Sequence, residues 1–215
     1  MRLAAVLALT AGLAVPSPAR ADEPENKDLV LAGLAMAPAS FFLGTFLHEG
    51  THATVAWSLG AHVTSFQFWP GRHPLTGTFY FGYVSYRGRL SKGERAFFLI
   101  APKLTNIVLF SGYSALLYTD TLPENHYGQL AFAVFATGLW VDFSKDVIAF
   151  RPQNDLVKVY NSYGYESEWS RLPLRLLHAG LSVAGAFVLY ESYDRVFEDD
   201  GQTAARIVPL VQGRW

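Results

Sequence analysis

His48, Glu49 and His52 stand within five residues of one another in the run FLHEGTHATVAW. The two histidines are four positions apart, so a helix presents both imidazoles on one face. Such a pair holds a divalent metal through ring nitrogens at about 2.0–2.1 Å. Glu49 is offset by one position. It can reach a water on that metal and act as its general base, the metal having lowered the pKa of the water. This is the H-E-x-x-H pattern of zinc hydrolases. Its setting sharpens the reading, because ionisable groups buried unpaired in an apolar helix cost on the order of several kcal/mol. The competing reading is a polar cluster that only joins helices through hydrogen bonds.

The elements that position these residues read as membrane spans. Four segments are long and apolar enough to cross about 30 Å of hydrocarbon at about 1.5 Å per residue: residues 29–61, which contain the motif, 96–118, 128–150 and 172–190. Residues 1–21 read as a secretory signal. Arg2 opens it, LAAVLALTAGLAV is its apolar core, and Ala19 and Ala21 supply the small residues before cleavage. An uncleaved anchor is the alternative. The mature chain, 22–215, is then one polytopic domain.

Charge supports that arrangement. Charged residues are 16% of the chain, against about 25% in soluble proteins. The loop after the first span carries Arg72, Arg87, Arg89, Lys92 and Arg95, the next carries Asp120 and Glu124, and the one after span three carries Arg151, Lys158 and Arg171. Basic and acidic loops alternate, which sets the basic side inward and the exported N-terminus outward. His52 would then lie about 13 Å from the inner end of its helix, counting nine residues back from Ala61. A net charge of −1 gives no reason to expect a nucleic-acid partner, and the absence of Cys excludes disulfides and thiolate zinc sites. Between the first two spans, residues 78–86 (TFYFGYVSY) alternate and are rich in aromatics, as a strand or hairpin requires.

The stretch FLHEGTHATVAWSLGAHVTSF resembles the first core helix of the site-2 protease family of intramembrane zinc metalloproteases. FGYVSY is similar to that family's Gly-Tyr-Val segment. RAFFLIAPKLTNIVLF resembles the start of its second core helix, with Pro102 and Asn106 in the matching places. The resemblance covers about residues 42–159 and implies a three-helix core that cuts peptide bonds within or beside the membrane. It also implies a third zinc ligand, an Asp after a Pro-bearing break at the end of the third core helix. Asp155, three residues after Pro152, stands there, with Leu156 where the family usually has Gly. Asp142 and Asp146, inside span three, are rivals for that role.

The sequence thus predicts an all-α membrane protein with about four transmembrane helices after a signal peptide and a small β-strand or hairpin insertion between the first two. The expected location is the membrane, multi-pass, of the bacterial inner-membrane type. The expected activity is zinc-dependent hydrolysis of peptide bonds in a membrane-anchored protein, with Zn2+ on His48, His52 and Asp155 and with Glu49 as the base. The alternative is a catalytically inactive metal- or partner-binding membrane protein on the same scaffold. Asn106 is expected to line the cavity or bond across helices, and His178 to be a packing or interfacial histidine.

Overall fold

The computed structural model of the chain describes residues 24–74, 76–148 and 154–197. The signal-peptide reading and Pro152 fall outside them. The chain is mostly helical. Helices α1 (Asn26–Ser58), α2 (Lys92–Tyr118), α3 (His126–Ile148), α4 (Asp155–Ser162) and α5 (Glu168–Phe197) are joined by a β insertion between α1 and α2. Among the described residues, α1, α2 and α5 are long and apolar enough to cross a membrane. Large apolar side chains such as Leu31, Leu34, Val108, Leu176, Leu177 and Phe187 are exposed on them, which suits a lipid solvent better than water.

Each helix end has a local cause. Gly60 adopts φ +78°. Its N–H bonds the Trp57 carbonyl, and the Ala61 N–H bonds Ala56; this is the paired closure that a left-handed glycine allows. Helix α1 therefore stops at Ser58, three residues short of the span read from the sequence. His52 is six residues from that end, about 9 Å rather than 13 Å. Helix α2 opens on a reciprocal cap: Ser91 Oγ accepts from the Glu94 N–H, and Glu94 accepts from the Ser91 N–H. Helix α4, which the sequence reading did not anticipate, is capped by Asn154.

Helix α3 is the centre of the bundle, packed against α1, α2 and α5. Leu130, Ala133, Ala136 and Leu139 are buried along it. Small residues set the spacing to its neighbours. Gly185 of α5 sits under the Trp140 ring, and Gly138 of α3 sits under Ser40 of α1. The Trp140 indole N–H donates to the Ser182 carbonyl at 2.7 Å.

The insertion contains two short antiparallel pairings: β1 (His62–Gln67) with β4 (Tyr83–Arg87), and β2 (Gly71–Arg72) with β3 (Phe79–Tyr80). The strand expected over 78–86 is thus interrupted at Phe81 and Gly82. There the backbone leaves the ladder and presses onto α1: a Cβ added to Gly82 would lie 2.7 Å from Glu49 Cγ and 2.8 Å from Thr45 Cγ2. Phe66 and Phe68 pack edge-on against Phe46, and Phe81 against Phe41. These contacts hold the insertion on the helix face that carries the motif.

Candidate metal centre

His48 and His52 face the same side of α1, their ring centroids 5.1 Å apart. Asp155, at the first position of α4, meets them. Its Oδ2 lies 3.2 Å from His52 Nε2 and 4.0 Å from His48 Nε2. One ligand atom from each of the three residues falls within 4.8 Å of the other two. A tetrahedral zinc with bonds of about 2.05 Å sets its ligand atoms about 3.3 Å apart, so an inward movement of His48 by up to about 1.5 Å would complete three corners.

The other ring nitrogens are committed elsewhere. His52 Nδ1 lies 2.8 Å from the Phe98 carbonyl oxygen, which can only accept, so this nitrogen carries a proton. His48 Nδ1 donates to Asp142 Oδ2 at 3.0 Å. A carbonyl or carboxylate behind each histidine is the arrangement that fixes the tautomer of a ligating imidazole and aims its Nε2 lone pair forward. Two states satisfy the contact between His52 Nε2 and Asp155: an imidazolium that donates to the carboxylate, or two acceptors that share a cation. The donor set, two imidazole nitrogens and one carboxylate oxygen, suits a divalent first-row ion such as zinc.

Asp155 is anionic in this setting. Burial by itself would raise its carboxyl, but the His52 hydrogen bond and the Lys158 ammonium outweigh burial and hold it well below the usual carboxylate range. Lys158 Nζ donates to Asp155 Oδ1 at 2.8 Å, leaving Oδ2 toward the histidines. The cap delivers the residue: Asn154 Oδ1 accepts from the N–H groups of Leu156 and Val157, and Leu156 and Val157 are themselves buried. Val159 packs on the core formed by Val55, Ala56, Ala61, Phe98, Leu99 and Ala101. Leu156, Val157 and Val159 together anchor α4 under the site.

The two rivals occupy other positions. Asp142 Oδ2 accepts from His48, from Asn106 Nδ2 at 2.6 Å and from Lys103 Nζ at 3.2 Å, while Oδ1 meets Lys145. Asp146 is buried, with Oδ2 2.9 Å from Lys103 Nζ and Oδ1 accepting from Asn154 at 2.6 Å. Both are one step behind the histidine–aspartate group. Lys103, which the sequence reading did not single out, is 4% exposed. The signal for it was the one that flagged the motif, a charge in the middle of an apolar helix. His178 is a packing residue, with Nε2 on the Phe143 carbonyl at 2.9 Å.

Glu49 is buried beside the pair and lines, with His48, Asp142 and Lys145, a cavity of about 740 Å³ between α1, α3, α5 and the Phe81–Gly82 turn. Among the described residues no hydrogen bond or ion pair ties down its carboxylate. The rest of the cavity is mostly apolar and extends along α1 as far as Leu29. Comparison with protein-family models, with curated proteins and with solved structures finds no match to this chain.

Proposed function

We propose that this chain is an intramembrane zinc metalloprotease of the site-2 protease type, with four spans after a signal segment, α3 being the fourth span alongside the three apolar helices. The observation that carries the reading is the convergence of His48, His52 and Asp155 beside a cavity lined by Glu49. A structural polar cluster would have no need of a free carboxylate facing an open cavity, nor of two imidazoles each held from behind.

His48, His52 and Asp155 would hold the ion. Bound zinc supplies Lewis acidity, lowering the pKa of a coordinated water and polarising the scissile carbonyl. Glu49 takes the proton of the attacking water and passes it to the leaving amine. Asp142 and the Phe98 carbonyl keep the two histidines in the ligating tautomer throughout.

The substrate class follows from the cavity. From Leu29 to Glu49 is twenty residues of helix, about 30 Å, which equals the hydrocarbon thickness of a bilayer. A mostly apolar groove of that length supports a membrane-anchored protein as substrate. A helical segment hides its peptide bonds in its own ladder and must be drawn out before attack. The strands beside Phe81 offer backbone edges for that.

The test uses the purified full chain in liposomes with a panel of single-span membrane proteins. Wild type is expected to carry about one zinc and to generate new termini. Glu49→Gln keeps size and polarity but cannot take a proton, so it should retain zinc and lose cleavage by about 10²–10⁴-fold. Zinc binding with equal, null cleavage by both proteins would favour the inactive metal-binding alternative. Equal, substantial cleavage by both would refute the role of Glu49.

A further inference from the structure

We propose that Lys103 is the positioning residue of this centre: one buried ammonium on α2 that sets the geometry of two metal ligands on different helices at once. The inference rests on the metal-centre reading above and adds the device that holds it in register.

The connections run in two directions from Lys103 Nζ. One N–H is directed at the Asp142 backbone carbonyl and another at Asp142 Oδ2, 3.2 Å away. That same oxygen receives the His48 Nδ1–H, so this arm fixes the His48 ring on α1. The third meets Asp146 Oδ2 at 2.9 Å. The other oxygen of Asp146 takes the Asn154 amide at 2.6 Å, and Asn154 Oδ1 caps α4 through Leu156 and Val157. Asp155 is the next residue after that cap, so this arm fixes the second ligand. All three ammonium donors are used and the side chain is 5% exposed, so Lys103 has no remaining freedom to serve as a solvated charge.

Geometry argues against simple charge neutralisation. Lys145 and Lys158 already supply positive charge to Asp142 and Asp155 from the rim. What they do not do is join the two arms. Lys103 bonds both Asp142 and Asp146; among the described residues its helix adds one further side-chain hydrogen bond to these arms, the Asn106 amide on Asp142.

The experiment is a Co(II) titration of the detergent-solubilised full chain, read by visible absorption, with competition against a chelator of known affinity. Visible bands report the number and arrangement of ligands, which a purely structural lysine would leave unchanged. Lys103→Met strips Asp146 of its ammonium and leaves Asp142 with Lys145 alone, a change that threatens the fold. The charge-balanced pair Lys103→Met with Asp146→Asn is therefore measured beside it, together with Asn154→Ser, which keeps a helix cap and withdraws the amide from Asp146. The charge-balanced pair and Asn154→Ser should each weaken Co(II) binding by about 10–100-fold, the range for lost outer partners, with altered bands. Wild-type affinity and spectrum in the charge-balanced pair, whatever its melting temperature, would overturn the role of Lys103 alone. No Co(II) binding by wild type itself would overturn the metal centre, and this inference with it.

Discussion

Adding one methyl group at Gly82 tests the proposed division between Glu49 and the metal ligands without altering the motif. The new Cβ would stand 2.7 Å from Glu49 Cγ, 2.8 Å from Thr45 Cγ2 and 3.0 Å from the Gln67 carbonyl oxygen. Carbon pairs settle at about 3.5–4.0 Å, so two contacts are short by about 0.7 Å or more. Thr45 yields little: it is β-branched, and its hydroxyl donates to the Phe41 carbonyl at 2.9 Å. The Gln67 carbonyl belongs to β1, paired with Tyr83 in the ladder. The displacement falls on the Glu49 side chain or on the Phe81–Gly82 turn. Either moves the base relative to the substrate by roughly an ångström, and misplacement of that size costs about 10²-fold in rate. Overpacking adds about 1–3 kcal/mol of destabilisation.

The assay is cleavage by proteoliposomes, with bound zinc measured on the same preparation. Gly82→Ala is expected to lose about 10²-fold in kcat/KM while keeping one zinc per chain, since the three atoms nearest the new methyl belong to Glu49, Thr45 and Gln67 and not to a proposed ligand. Gly112→Ala, where an added Cβ meets nothing within 4 Å, is the control and should keep full activity with up to about 1 kcal/mol of added stability. Full activity in Gly82→Ala would refute the claim that this turn sets the position of Glu49. Loss of zinc would show that the turn supports the ligands instead.

Two further predictions concern the ligand assignment and the bundle. Asp155→Ala should abolish stoichiometric zinc, whereas Asp142→Asn should weaken it by about 10–100-fold without abolishing it, both read by chelator competition; the reverse order would move the ligand role to Asp142. Gly185→Ala places a methyl 2.7 Å from Trp140 Cδ1 and should cost about 1–3 kcal/mol through overpacking, measured as a lower melting temperature in detergent with zinc retained; an unchanged melting temperature would show that α3 and α5 separate freely there.

How much of this was legible in the sequence depended on whether the cause was local. The end of α1 was nearly so: Gly60 marks it, and the span was overrun only because Leu59 and Ala61 are apolar. The motif face was legible because i and i+4 fix it without any neighbour. The roles of Asp142 and Asp146 were not. Their spacing places them on one face of α3, but α3 is apolar nearly all round, and such a helix carries no stripe to say which face meets which partner. Helix α4 is eight residues long and follows a proline. Its amphipathic face is visible only once the core around Phe98 exists to receive Val159. Strand β1 was missed because HVTSFQ alternates too weakly, and its register with β4 slips between Val63 and Ser65.

The charges around the site divide the acids by task. Four carboxylates, Glu49, Asp142, Asp146 and Asp155, share this region with three ammonium groups. Lys103 and Lys145 hold Asp142, Lys103 holds Asp146, and Lys158 holds Asp155. An ammonium holds a carboxylate in place, which suits a ligand or the group that orients a histidine. It is the wrong condition for a group that must accept a proton and release it again within one turnover. Glu49 is the acid of the four that has no lysine on it among the described residues, and it is the one that faces the cavity beside His48. The lysines thus leave one carboxylate without an ammonium in the place where the motif requires a base. Giving Glu49 an ammonium of its own, with Thr45→Lys one turn away on α1, should therefore suppress cleavage while His48, His52 and Asp155 keep their zinc. Undiminished turnover with that lysine in place would refute the division of roles.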